Sequence, residues 1–332
     1  MPRTMDGCIG LSTQDSMRLY VDDKLLIDGW GKDKSADQAL DFHFEAGRTY
    51  KIRIEFVNDR RGARVIFGYS AGRENFPAAV EAARKADVAI LCMGDNEETS
   101  GENFDRTDLN LPGRQLELVQ AVYATGTPVV LVLQSGRPVT ANWENDHLPA
   151  ILEAWFPGEQ GGTAIAKTLF GDAAPGGRLP ITFPRSVGQI PCHYSRRPGG
   201  GKRYVEMDWL PLYPFGYGLT YTTFAYRDMA LSRSVIDPQD TVTVSVTVTN
   251  TGKYTGDAVP QLYVRDMFSS VVKPERQLAA FRRLTLAPGE SRRVELTVGP
   301  KQLRTLGPDY VWRVEPGKFE LQLGDNAENI LL

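Results

Sequence analysis

Val88-Ala89-Ile90-Leu91-Cys92-Met93-Gly94-Asp95-Asn96-Glu97-Glu98-Thr99-Ser100-Gly101-Glu102-Asn103-Phe104-Asp105-Arg106 runs from six apolar residues straight into a polar, glycine-containing loop. That pattern predicts a buried strand delivering a loop at its carboxyl end, where α/β proteins place their chemistry. Upstream, Phe76-Pro77-Ala78-Ala79-Val80-Glu81-Ala82-Ala83-Arg84-Lys85-Ala86 has proline in its first turn and strong helix formers after it. Downstream, Pro112-Gly113-Arg114-Gln115 opens a second helix through Leu116, Leu118, Val119 and Val122. The run Pro128-Val129-Val130-Leu131-Val132-Leu133 is a second strand, and Ala150-Ile151-Leu152-Glu153-Ala154-Trp155 a third, with a helix over residues 163–170. Strands alternating with helices predict a mainly parallel sheet, so the loops after Met93, Leu133 and Trp155 open at one edge.

The flanks have a different period. Residues 1–72 read as all-β: Met17-Arg18-Leu19-Tyr20-Val21, a turn at Asp22-Asp23, then Leu25-Leu26-Ile27, with Tyr50-Lys51-Ile52-Arg53-Ile54-Glu55-Phe56 alternating apolar and polar. Four or five strands are expected there, a partial β-domain. Residues 226–332 read as a β-sandwich, led by the unbroken alternation Thr241-Val242-Thr243-Val244-Ser245-Val246-Thr247-Val248-Thr249. Between the two, Pro198-Gly199-Gly200-Gly201 is a loop, and the aromatic-rich residues 209–226 are expected to pack domains together. The domain boundaries are therefore 1–72, 73–225 and 226–332.

A length of 332 residues suits two or three domains, and 42% hydrophobic with 24% charged residues is ordinary for a globular protein. A net charge of −3 supplies no overall basic field for nucleic acid or anionic lipid. Neither partner is expected. Cys8, Cys92 and Cys192 are odd in number and widely spaced, which excludes a dense disulfide framework and shows no metal-type spacing. Cys92 reads as a small core residue. His43, His147 and His193 share no metal spacing either, so no metal and no cofactor is expected. No apolar stretch approaches the roughly 18–20 residues of a membrane span. The first residues lack the apolar core of a signal peptide, which leaves cytoplasmic, periplasmic and secreted locations open.

Several runs together resemble the C-terminal half of a glycoside hydrolase family 3 enzyme of the β-glucosidase or β-xylosidase type. The first is Ser100-Gly101-Glu102-Asn103-Phe104-Asp105-Arg106 with Leu109-Asn110-Leu111-Pro112-Gly113-Arg114-Gln115. The second is Trp155-Phe156-Pro157-Gly158-Glu159-Gln160-Gly161-Gly162. Leu169-Phe170-Gly171-Asp172 through Gly177-Arg178-Leu179-Pro180-Ile181-Thr182-Phe183-Pro184 is the third. Tyr213-Pro214-Phe215-Gly216-Tyr217-Gly218-Leu219-Thr220-Tyr221-Thr222-Thr223-Phe224 is the fourth. With the C-terminal segment they cover about residues 74–332. Leu19-Tyr20-Val21-Asp22-Asp23-Lys24-Leu25-Leu26-Ile27-Asp28-Gly29-Trp30 is similar, more loosely, to a protective-antigen-type sugar-binding insert.

The resemblance implies a multidomain fold, α/β plus all-β: part of a β-rich sugar-binding-type domain, an α/β sandwich with a mainly parallel sheet, and a C-terminal fibronectin type III-like β-sandwich. It implies Glu102 as general acid/base, with Glu98 as runner-up. It also implies a β-linked oligosaccharide or aryl β-glycoside as substrate. The nucleophile of this family comes from an N-terminal (β/α)8 barrel of about 250 residues, and this chain is expected to carry the acid/base half of the site without it. Unpaired edges on the partial β-segment favour association, so a homo-oligomer is expected unless a partner covers them. The alternative function is a non-catalytic carbohydrate-binding or structural module.

Taken without the family, Glu102 reads as a solvated surface carboxylate. Glu97 and Asp95 read as solvated loop charges, and Asp105 with Arg106 as a structural pair supporting the loop. Gln134-Ser135-Gly136 lacks the Gly-x-Ser-x-Gly elbow of a serine nucleophile, and residues 156–162 lack the Gly-Lys-Ser/Thr ending of a phosphate loop. Trp155 and Phe156 read as packed core aromatics rather than sugar platforms.

Overall fold

A computed structural model describes residue 1 and residues 4–13, 16–31, 36–57, 64–70, 76–199 and 203–331. The expected boundary at 72–73 and the glycines Gly200 and Gly201 lie outside the described residues. Two compact units are present, Met1–Lys85 and Ala86–Leu332.

The first unit holds β1 (Met5–Thr13), β2 (Met17–Val21), β3 (Lys24–Asp28), β4 (Ala36–Phe44), β5 (Ile52–Phe56) and β6 (Val65–Ser70), followed by α1 (Pro77–Arg84). Its strands form two antiparallel three-stranded sheets, ordered β4-β1-β6 and β3-β2-β5. Alternation along β1 and β2 buries Ile9, Leu11, Met17, Leu19 and Val21 in one core with Ile27 and Phe44. Asp22 and Asp23 both have positive φ, 50° and 61°, between the paired Val21 and Lys24. That is the left-handed two-residue turn whose twist matches a hairpin, and aspartate tolerates it better than most residues. Among the described residues this unit has six strands, more than the four or five expected, because glycines in β1 (Gly7, Gly10) and polar residues in β4 (Asp37, Gln38) interrupt the apolar pattern that announces a strand.

The second unit opens with β7 (Ala89–Gly94), α2 (Gln115–Tyr123), β8 (Val129–Gln134), α3 (Asn142–His147), β9 (Ala150–Glu153) and α4 (Gly161–Leu169). β7, β8 and β9 pair parallel in that order, with Gly94 opposite Gln134 and Leu133 opposite Glu153. The three following loops therefore leave one edge of the sheet, as the alternation of elements predicts. β8, the central strand, is buried at Val129, Leu131, Val132 and Leu133. β7 is different. Ile90 is 45% exposed and Cys92 is exposed, so Cys92 is not a core residue. β7 is an edge strand with one open face, and an apolar run cannot by itself show whether both faces are covered.

The remainder is a sandwich: β10 (Phe224–Leu231), β11 (Val242–Asn250), β12 (Gly256–Ala258), β13 (Gln261–Asp266), β14 (Gln277–Phe281), β15 (Leu284–Leu286), β16 (Ser291–Val298), α5 (Pro300–Leu303), β17 (Thr305–Leu306), β18 (Trp312–Arg313) and β19 (Phe319–Gly324). Along β11, Val242, Val244, Val246 and Val248 are all buried while Thr243, Ser245 and Thr247 between them are partly exposed. They meet Val294, Leu296 and Val298 of β16 across the pair, and Leu262, Leu286 and Leu323 close the core. Each such side chain contributes about 2 kcal/mol of burial free energy.

The aromatic run does pack domains together. Phe215 stacks on Tyr194 at 4.1 Å, Tyr194 meets the buried Tyr263 of β13 edge-on at 6.3 Å, and Gln261 donates to the Gly216 carbonyl at 3.0 Å. These contacts join the α/β part to the sandwich.

Candidate active site

The loop after β7 begins with a backbone conformation open to few residues. Gly94 has φ of 138°, and a Cβ there would lie 2.0 Å from the Gln134 carbonyl oxygen. Only glycine lets β7 and β8 approach so closely at their carboxyl ends. Gln115, the first residue of α2, donates to the Gly94 carbonyl at 2.8 Å and accepts from the Gly94 N–H at 2.7 Å. The start of the loop is thereby fixed to both the next strand and the next helix.

Asp95 follows, and it is not a solvated charge. Its side chain is 1% exposed and accepts from Arg106 Nη1 at 3.2 Å and from the Thr99 hydroxyl at 3.0 Å; Arg137 Nε lies 3.6 Å from its other oxygen. A carboxylate buried this deeply is stable only with such partners. Arg106 also reaches Asp108 at 3.2 Å and the Asn110 carbonyl at 2.6 Å. The expected Asp105–Arg106 pair does not form. Asp105 is exposed and makes no ion pair among the described residues, since neighbours on an extended segment point opposite ways and Arg106 turns inward to Asp95.

Arg137, from the loop after β8, completes the arrangement. Its Nη2 donates to the Thr99 carbonyl at 3.2 Å and to the Phe104 carbonyl at 3.3 Å. One guanidinium thus pinches both ends of the turn that carries Glu102. Within that turn the Phe104 N–H donates to the Gly101 carbonyl at 3.2 Å, and Asn103 takes a left-handed φ of 67°. Glu102 is exposed at the tip. Glu98 and Glu97 are exposed on the preceding turn, where the Glu98 N–H donates to Asn96 Oδ1 at 3.0 Å.

The other two loops flank this one. A Cβ on Gly136 would lie 2.8 Å from the Phe156 ring and 3.0 Å from Ser100 Oγ, so all three loops meet at Gly136. Phe156 is 56% exposed and is not a core residue. Trp155 is half-buried and packs edge-on against Phe183 at 5.7 Å. Left-handed backbone at Trp155, φ 52°, turns the next ring outward. Ser135 is fully buried and donates to the Arg137 carbonyl at 2.5 Å, which holds the loop and leaves no exposed hydroxyl nucleophile there. Among the described residues no cluster of His, Cys, Asp and Glu is grouped to hold a metal. His147 instead stacks on Trp143 at 4.3 Å.

Sequence reasoning missed Glu153. It ends β9, its Oε1 accepts from the Trp155 N–H at 2.9 Å, and its Oε2 is buried without a hydrogen-bond partner. Burial pushes its carboxyl up from the ordinary 4.5 to about 7, against the lowering effect of the Trp155 N–H. The folded form holds this proton where the unfolded chain has lost it. Stability from this group is therefore full at acid pH and falls as pH rises from about 4.5 through about 7. Glu153→Gln should raise unfolding free energy at pH 8 by up to about 3 kcal/mol, with the gain shrinking towards pH 5. Urea unfolding of both proteins across that range checks this; a pH-independent difference would contradict it.

Residues 12–221 match the glycosyl hydrolase family 3 C-terminal domain, and residues 258–327 match a fibronectin type III-like domain. A β-xylosidase of Formosa agariphila is 46% identical over 84% of this chain and 40% of its own length. A β-glucosidase of Rhizobium radiobacter is 35% identical over 98% of this chain and 44% of its own. The solved β-glucosidase of Kluyveromyces marxianus superposes with a TM-score of 0.73 at 27% identity, over 100% of this chain and 42% of that one. The chain spans 34–44% of the length of the curated relatives it matches.

Proposed function

The chain belongs to glycoside hydrolase family 3, and on that premise we propose that it is the acid/base-bearing portion of a retaining β-glycosidase acting on β-glucosides or β-xylosides. The observation that carries this reading is the pinched turn: Glu102 stands exposed at the tip of a loop whose ends are held by Arg137 and whose base is held by Asp95 and Arg106. Retaining hydrolysis needs two carboxyl groups about 5–5.5 Å apart. Glu102 gives its proton to the leaving glycosidic oxygen while a second carboxylate attacks the anomeric carbon. It then removes a proton from the water that releases the sugar. That second carboxylate, the nucleophile, belongs to a barrel outside this chain. Closure of the Glu102 turn over it supplies the burial and the neighbouring negative charge that a general acid needs. Glu98 is the second choice for the same role.

The substrate is a β-linked oligosaccharide or an aryl β-glycoside. The domain division 1–72, 73–225 and 226–332 belongs to the same proposal, with residues 1–72 part of a sugar-binding-type insert. Two antiparallel sheets over one core support that assignment.

Incubating the chain with a chromogenic β-glucoside tests the two-part site. No turnover is expected, because removing one member of a cooperating pair removes most of the rate. Turnover proportional to chain concentration, and lost in Glu102→Ala, would mean that the whole site lies within these residues.

A further inference from the structure

The sandwich carries an open cavity of about 320 Å³ lined by Arg282, Arg283, Arg292 and Arg293, with Leu284, Thr285 and Val294. The arginines come as two pairs, one leading into β15 and one at the start of β16. All four are exposed, while Leu284 and Val294 form a buried apolar base. Two of the charges are compensated: Arg283 pairs with Asp257, and Arg292 pairs with Glu290. The other two are not. Arg293 donates to Ser245 Oγ at 2.5 Å, a neutral partner, and the Arg282 guanidinium makes no hydrogen bond or ion pair among the described residues. Glu295, on the same strand as Arg293, forms no ion pair among the described residues either.

The cavity thus holds an excess of two positive charges on a chain whose net charge is −3. A concave wall of one sign focuses its field outward and raises the local concentration of the opposite charge. Guanidinium groups match the geometry of carboxylate and sulfate oxygens, with two N–H donors meeting two oxygens. Thr285 cannot serve in the same way, because its hydroxyl already donates to Asp257 Oδ1 at 2.6 Å. The anion-binding capacity therefore lies with Arg282 and Arg293, and the two compensated arginines set the walls. An open cavity suits a polymer lying across it better than a small molecule enclosed within it.

We propose that this cavity binds an acidic glycan through its carboxylate or sulfate substituents. The glycan part rests on the glycosidase reading above; the preference for an anion rests on the arginines alone. A site of this kind would hold an acidic polysaccharide against the sandwich while chemistry proceeds elsewhere.

Binding of the 332-residue chain to polygalacturonate, dextran sulfate, uncharged dextran and a DNA duplex can be measured by calorimetry and affinity electrophoresis. The expected result is salt-sensitive binding to polygalacturonate or dextran sulfate and none to uncharged dextran. Which of the two binds more tightly identifies the substituent as carboxylate or sulfate. Replacing Arg282 and Arg293 together by Ala should raise the dissociation constant about tenfold or more, since hydrogen bonds between charged groups are the strong ones. Both side chains are exposed, so the thermal midpoint of the variant should stay unchanged. No binding to either acidic glycan, equal affinity of the double variant, or tighter binding to the duplex would overturn the proposal. None of these readouts uses turnover. A complete enzyme that hydrolyses neither β-glucosides nor β-xylosides would strike the glycosidase reading and leave the anion result standing.

Discussion

Glu102→Ala in the complete enzyme should lower kcat/KM on an unactivated disaccharide by about 10²- to 10⁴-fold, the usual contribution of a positioned proton donor. An aryl glycoside with a good leaving group should lose far less in its first step, because its departing oxygen needs no proton. Release of the sugar from the enzyme would still be slow, since water would lack its base. Azide, a nucleophile that needs no base, should restore turnover and give the glycosyl azide. The structure supplies the control. Glu98 lies on the neighbouring turn, before the segment pinched by Arg137. Glu98→Ala should leave the leaving-group dependence unchanged. If Glu98→Ala shows the steep dependence and Glu102→Ala does not, the two roles are exchanged.

The largest expected effect on stability comes from Asp95→Ala. Its carboxylate is 1% exposed and faces Arg106 and Arg137, whose side chains are themselves only 15% and 22% exposed. Removing it leaves two largely buried cations without an anion, a change that costs about 3–5 kcal/mol in comparable buried pairs. Asp95→Asn keeps an acceptor for the Thr99 hydroxyl and should cost less, though it still removes the charge. Urea unfolding of the chain measures both. Hydrogen exchange of the amides in residues 96–106 should show faster opening in the Ala variant, even where global stability survives. A loss under about 0.5 kcal/mol, the size of an ordinary surface substitution, would show that the buried charges do not hold the loop.

Much of this arrangement was legible from the residues. The valine–threonine alternation of β11 announces its buried face, and the apolar runs alternating with helix formers announce the parallel sheet and its loop-bearing edge. The missed features share a cause. Asp95 looks like any loop aspartate until Arg137, far along the chain, folds onto it. Cys92 looks buried until β7 proves to be an edge strand. α3, Asn142-Trp143-Glu144-Asn145-Asp146-His147, has no apolar period to announce it and is marked instead by the stacking of Trp143 on His147. Glu153 gave no signal, since a glutamate at a strand end is normally solvated and only burial changes its acidity. Local pattern reports periodicity; it does not report which distant side chain arrives.

The guanidinium that grips the Thr99 and Phe104 carbonyls also divides this loop into parts with different freedom to diverge. Residues gained or lost between those two carbonyls alter how far Glu102 reaches while leaving its foundation in place. Changes outside them disturb the foundation and leave the reach alone. Loop extension adds little closure entropy, so drift in length at the tip is cheap in stability and direct in its consequence for where Glu102 is placed. An engineer seeking new substrate range has in Ser100, Gly101 and Asn103 a short cassette to randomise around a fixed Glu102, and in Asp95, Arg106 and Arg137 three further positions to hold constant while doing so.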